Sequence, residues 1–77
     1  PGAVVLDPPR TGAGEDVIRS VAAAAPQAVV HVGCDPATFA RDLGYWNQHG
    51  YGIGKLALIN AFPGTHHFET IALITPA

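Results

Sequence analysis

Apolar residues gather in short clusters, and their spacing switches between the two periods that separate strands from helices. Ala3-Val4-Val5-Leu6 is a continuous run that ends at Asp7, where Pro8 and Pro9 lock an extended exit and block immediate helix formation. Gly12 and Gly14 then let the chain turn. From about Glu15 to Ala25, Val17, Ile18, Val21 and Ala25 fall on one helical face, Glu15 and Asp16 suit its first turn, and Pro26 forces a stop. Ala28-Val29-Val30-His31-Val32 is a β-branched run of the kind that fills a parallel sheet covered on both faces. After it, Asp35 is a good N-cap and Pro36 suits the first helical position. Phe39, Leu43 and Trp46 recur at helical spacing until about Gln48, with Gly50 as terminator.

The last third lacks helical periodicity. Ile53 to Ile59 alternates unevenly around Lys55, and Glu69 to Thr75 supplies Ile71, Ala72, Leu73 and Ile74. A loop over 60–67, containing Pro63 and Gly64, joins the two runs, which predicts an antiparallel pair. The chain therefore reads as one α/β layout without internal repeats or low-complexity linkers.

Cys34 is the sole cysteine, and it stands where the second strand hands over to a helix. The exposed N–H groups and partial positive charge of a helix start favour thiolate over thiol, and open α/β sheets bind ligands outside the carboxyl ends of their strands. The plainer reading is a small buried hydrophobe, a common role for free cysteine. Asp7 sits at another carboxyl strand end beside a stiff Pro8-Pro9 turn, where it either caps the loop or lines a pocket. Arg10 is by default a solvated loop residue. Glu69 opens an apolar strand, where burial would raise its pKa toward that of a useful base; otherwise it is a surface carboxylate at a strand edge. His66 and His67 are adjacent and point in different directions, with only Cys34 as a soft third ligand, so no metal site is expected. Arg41 and Asp42 read as a solvated or helix-anchoring pair, and Tyr45 and Trp46 as packing groups.

The segment Cys34-Asp35-Pro36-Ala37-Thr38-Phe39-Ala40-Arg41-Asp42 resembles the nucleophile motif of the RNA uracil-C5 methyltransferases that use S-adenosyl-L-methionine. Asp7-Pro8-Pro9-Arg10-Thr11-Gly12 resembles that family's D-P-P-R-x-G loop. Phe62-Pro63-Gly64-Thr65-His66-His67-Phe68-Glu69-Thr70 resembles its F-P-x-T-x-H-x-E segment. The three stand in the family's order and span nearly the whole chain. Departures are small: Gly33 stands where Ser is common, Asp35 where Asn is common and Phe68 where Val is common. The resemblance implies the second half of a Rossmann-like class I methyltransferase sheet, mostly parallel with an antiparallel last strand. Residues 1–77 would be the C-terminal half of the catalytic domain, without the half that carries the glycine-rich cofactor loop. It further implies methyl transfer to carbon 5 of a uridine in rRNA or tRNA. Cys34 would be nucleophile, Glu69 general base, Asp7 a cofactor-side residue, and Pro8, Arg10 and His67 substrate or loop support.

Composition narrows this further. With 77 residues the chain buries too little surface to be comfortable alone, and one cysteine offers no disulfide staple, so a piece of a longer protein is expected; without the cofactor-loop half that the resemblance implies, it is expected to be inactive by itself. Its opening at Pro1, without Met and almost directly on a strand, accords with that. A net charge of −2 with four Lys and Arg lacks the basic footprint of a free-standing nucleic-acid binder, so RNA phosphate contacts are expected from elsewhere in the full-length protein. No apolar run reaches the roughly 20 residues needed to span a bilayer. No membrane association is expected, and a lone cysteine fits a reducing, cytoplasmic setting. Two other classes compete: a cysteine-histidine hydrolase piece, with Cys34 activated by His66 or His67 and oriented by Asp7, and a non-catalytic domain that self-associates through an exposed sheet edge.

Overall fold

A computed structural model describes residues 2–59 and 69–77. The elements run β1 (Ala3–Leu6), α1 (Gly14–Ala23), β2 (Ala28–Gly33), α2 (Pro36–Gln48), β3 (Tyr51–Ile59) and β4 (Glu69–Pro76). They form a four-stranded sheet in the order β1-β2-β4-β3. β1 and β2 pair in parallel, while β4 is antiparallel to both β2 and β3. The sheet is thus mixed rather than mostly parallel. The reason lies in connectivity: β3 runs in the direction of β1 and β2, but β4 returns along it and inserts between β2 and β3. Only β1 and β2, linked by a helical crossover, remain parallel neighbours.

Both helices contribute to a single core. Ile18 of α1, Phe39 and Trp46 of α2, and Val29, Tyr51, Ala72 and Ile74 of the strands are buried together. The β2–β4 register sets Val29 opposite Ile74 and His31 opposite Ala72, which puts these pairs on the helix-covered face. Val30 and Val32, on the other face, are only half-buried, and Val5 is 71% exposed. The expectation of a strand covered on both faces therefore fails within these residues, because neither α1 nor α2 lies on that side.

Element ends follow local chemistry. Asp35 caps α2 by accepting from the amides of Ala37 (2.9 Å) and Thr38 (3.1 Å), with Pro36 at the first helical position. α1 stops at Ala23, two residues before the expected Ala25, because Pro26 excludes helical geometry at its predecessor and Ala25 turns to φ 54°. β3 begins two residues earlier than expected, at Tyr51, whose hydroxyl donates to the Pro26 carbonyl at 2.7 Å. Its uneven alternation has a physical origin: the register slips between Ile53 and Lys55, leaving Gly54 as the extra residue of a bulge.

A polar pair sits within this core. Trp46 Nε1 donates to His31 Nδ1 at 3.0 Å, so the neutral ring carries its proton on Nε2, which points toward Asp42 Oδ2 at 3.6 Å. Burial holds His31 below the ordinary histidine pKa of 6.5, against a smaller opposite pull from Asp42. The unfolded imidazole then takes up a proton more readily than the native one. Stability from this site is full above pH 6.5 and declines as the pH falls through the lower native pKa. Comparing wild type with His31→Gln by urea unfolding, the wild-type advantage should shrink between about pH 7 and about pH 5. An advantage that grew on acidification would contradict the neutral, acceptor state of His31.

Candidate active site

Register, rather than proximity in sequence, assembles the site. Leu6 pairs with His31 at the end of β1, and Gly33 pairs with Thr70 across β2 and β4. Asp7 is the first residue beyond β1, Cys34 the first beyond β2, and Glu69 the first of β4, which runs the opposite way. All three therefore stand at one end of the sheet, outside the carboxyl ends of β1 and β2. Each is solvent-exposed. For Glu69 this agrees with the surface-carboxylate reading rather than the buried one, no described element covering it. His66 and His67, with the rest of 60–68, lie outside the described residues, so the loop role expected of His67 has no structural counterpart here.

Cys34 precedes α2 but does not own its N-terminal donors. The amides of Ala37 and Thr38 are both taken by Asp35 Oδ1. The helix start consequently stabilises the Asp35 carboxylate, and the thiol stands beside an anion that already occupies those donors. One step before Cys34, Gly33 has no space for a side chain, because a Cβ there would collide with the Phe39 ring. That ring also packs edge-on against His31, with centroids 5.4 Å apart. The Phe39 ring thus fills the volume that a Ser at position 33 would need.

On the β1 side, an open hollow of about 350 Å³ is lined by Leu6, Asp7, Pro8, Pro9 and Val17. Mostly apolar walls with one carboxylate are the usual makeup of a ligand pocket. Arg10 is exposed, and its carbonyl accepts from Thr38 Oγ1 at 2.8 Å. A second hollow of about 240 Å³, lined by Leu43, Trp46, Tyr51 and Ile53, is at the opposite sheet end and away from Cys34. Trp46, 1% exposed, is a packing group as expected. Among the described residues no group of three or more His, Cys, Asp or Glu is placed to hold a metal ion, and no helix is long and apolar enough to cross a membrane.

Of the two readings open for Asp42, solvated or helix-anchoring, the structure bears out the second. It is fully buried rather than solvated, accepting from Ala13 N at 2.8 Å, Gly14 N at 3.2 Å and Arg41 Nη2 at 3.1 Å. A signal was available in its position three residues after Phe39 and four before Trp46, on the stripe that faces the core.

A family model described as tRNA (Uracil-5-)-methyltransferase matches residues 2–76. Among curated relatives, an uncharacterised RNA methyltransferase of Corynebacterium glutamicum is 66% identical over 73 residues, covering 95% of this chain and 18% of the relative. Another from Clostridium acetobutylicum is 46% identical over 74 residues, covering 96% and 16%. The crystal structure of Pyrococcus abyssi tRNA (uracil-54, C5)-methyltransferase in complex with S-adenosyl-L-homocysteine aligns with a TM-score of 0.80 at 33% identity. It covers 95% of this chain and 18% of that one, so the chain spans less than a fifth of the length of the proteins it matches.

The Gly33–Phe39 packing yields a double-mutant expectation. Gly33→Ser should destabilise the protein by about 1–3 kcal/mol, the usual range for overpacking, and adding Phe39→Leu should restore most of that loss in urea unfolding. Equal loss in the single and double variants would show that the ring does not set the limit at position 33.

Proposed function

Because the chain belongs to the tRNA (uracil-5-)-methyltransferase family, we propose that the longer protein containing it transfers a methyl group from S-adenosyl-L-methionine to carbon 5 of a uridine in RNA. These residues are, on this reading, the C-terminal half of the catalytic domain, with a Rossmann-like sheet completed by the missing half. The observation that carries the proposal is the convergence of Asp7, Cys34 and Glu69 on one sheet end through the β1–β2 and β2–β4 registers.

The roles follow from what uracil chemistry requires. Carbon 5 of uracil is a poor nucleophile, and addition of the Cys34 thiolate to carbon 6 raises its electron density by making an enolate equivalent. S-adenosyl-L-methionine supplies an electrophilic methyl group when bound. Glu69 then removes the carbon 5 proton, and the Cys34–carbon 6 bond breaks to restore the double bond and release the thiolate. Asp7, which lines the mostly apolar hollow with Pro8, holds the polar edge of the uracil or of the cofactor against those walls. Arg10 and His67 support the loops on either side. The target uridine has to leave its stack to reach a strand-end pocket. Its phosphates are gripped mainly by parts of the protein beyond these residues, since this segment carries a net charge of −2. The 77 residues alone are inactive, because the half bearing the glycine-rich cofactor turn is not among them.

In the full-length protein, RNA bearing 5-fluorouridine at the target position should form a stable adduct with Cys34, since addition and methyl transfer proceed but fluorine cannot leave as a proton. Cys34→Ala should abolish the adduct. Glu69→Gln should instead accumulate a methylated covalent species on ordinary uridine, because elimination needs the base and addition does not. Denaturing gel electrophoresis separates these outcomes; cross-linking by Cys34→Ala, or wild-type turnover by Glu69→Gln, would contradict the roles assigned.

A further inference from the structure

Five consecutive residues, 10–14, running from the loop after β1 into the first position of α1, meet side chains from one face of α2. Thr38 Oγ1 donates to the Arg10 carbonyl at 2.8 Å, and Arg41 Nη2 donates to the Thr11 carbonyl at 2.7 Å. The Asp42 carboxylate accepts from the amides of Ala13 and Gly14. Between them, Gly12 has φ +84°, and a Cβ there would lie 2.6 Å from Arg41 Nη2, 2.7 Å from Asp42 Oδ2 and 3.2 Å from Thr38 Cβ. Only glycine permits so close an approach with that backbone geometry. Thr38, Arg41 and Asp42 are at i, i+3 and i+4, so one helical face presents all three groups.

We propose that Thr38, Arg41 and Asp42 are positioning residues that fix the Asp7 loop against α2, the helix that begins two residues after Cys34, so that the carboxylate and thiol sides of the site are held in one rigid unit. The inference rests on the reading that Cys34 and Asp7 serve one reaction. Capping of α1 accounts for Asp42 alone. It does not account for Thr38 and Arg41, whose acceptors, Arg10 and Thr11, precede α1 and lie between it and Asp7. Those two bonds, together with a Pro9–Gly12 turn closed by a 2.8 Å bond from Gly12 N to Pro9 O, leave little slack between Asp7 and α2. A catalytic group held through such a loop loses rate steeply when displaced, on the order of a hundredfold for 1 Å.

The test uses the full-length protein. Thr38→Val removes the hydroxyl while keeping the side chain's shape, and should slow covalent capture of 5-fluorouridine RNA about tenfold, less than a full 1 Å displacement would. The thermal midpoint should stay within about 2 °C, as fits one hydroxyl proton shared between an exposed 2.8 Å bond to Arg10 and a long 3.4 Å one to the Asp35 carbonyl in a protein of that size. Thr38→Ser should return the capture rate to near wild type, and Arg41→Met should repeat the slowing. Amide hydrogen exchange over 10–14 gives a readout independent of chemistry: it should quicken in Thr38→Val and recover in Thr38→Ser. Unchanged exchange and an unchanged capture rate in Thr38→Val would overturn the positioning role. Absence of capture by wild type would overturn the reading of Cys34, and the exchange data would then decide the positioning role by themselves.

Discussion

The buried carboxylate of Asp42 is the contact on which the arrangement depends. A charge removed from water is tolerated only where donors replace its hydration, and Asp42 finds them in the first amides of α1, in the Arg41 guanidinium and in the field of a helix N-terminus. α1 has no side-chain cap of its own, since Ala13 occupies the N-cap position. The same carboxylate thus closes one helix, anchors the loop ahead of it and faces His31 of the central strand. Loss of a helix N-cap alone costs about 1 kcal/mol. Here the cap comes from the other helix, so the loss would also free the two helices from each other.

Above this anchor, strand register decides which groups meet. Thr70 is the last rung opposite Gly33 and Glu69 pairs with Ile59, and a slip by one residue would exchange the faces of Ala72 and Ile74 with those of Leu73 and Ile71. Burial of Ala72 and Ile74 against Val29 and His31 therefore protects the alignment of Glu69 with Cys34. Core packing and site geometry are in this sense the same constraint. The Phe39 ring adds to it by filling the space above Gly33, immediately before the thiol.

Much of the fold was legible in the sequence where local chemistry is unambiguous. Asp35-Pro36 marks the start of α2, Pro26 the end of α1, and the lack of helical period after Tyr51 the antiparallel pair. Strand order was not legible, because nothing local specifies that β4 enters between β2 and β3; that choice depends on which apolar faces cover one another. The single-sided cover of β2 was missed because a run such as Val29-Val30-His31-Val32 looks alike whether one or both faces are packed. The sequence leaves Asp42 open between a solvated and a helix-anchoring role for a related reason: a charged residue beside Arg41 does not reveal which until the amides that enclose it are in view. The grouping of Asp7, Cys34 and Glu69 was expected because each abuts a strand end, whereas the Thr38–Arg10 and Arg41–Thr11 bonds join residues far apart in sequence.

Cys34 is the chemical centre of the account, and exchange at carbon 5 reports on it most directly. With RNA carrying tritium at carbon 5 of the target uridine, the full-length protein should release one tritium into water for each methyl group transferred, and Cys34→Ala should release none, since carbon 5 becomes nucleophilic only after the thiolate adds to carbon 6. Release at the wild-type rate by Cys34→Ala, or a methylated product that retained its tritium, would contradict it.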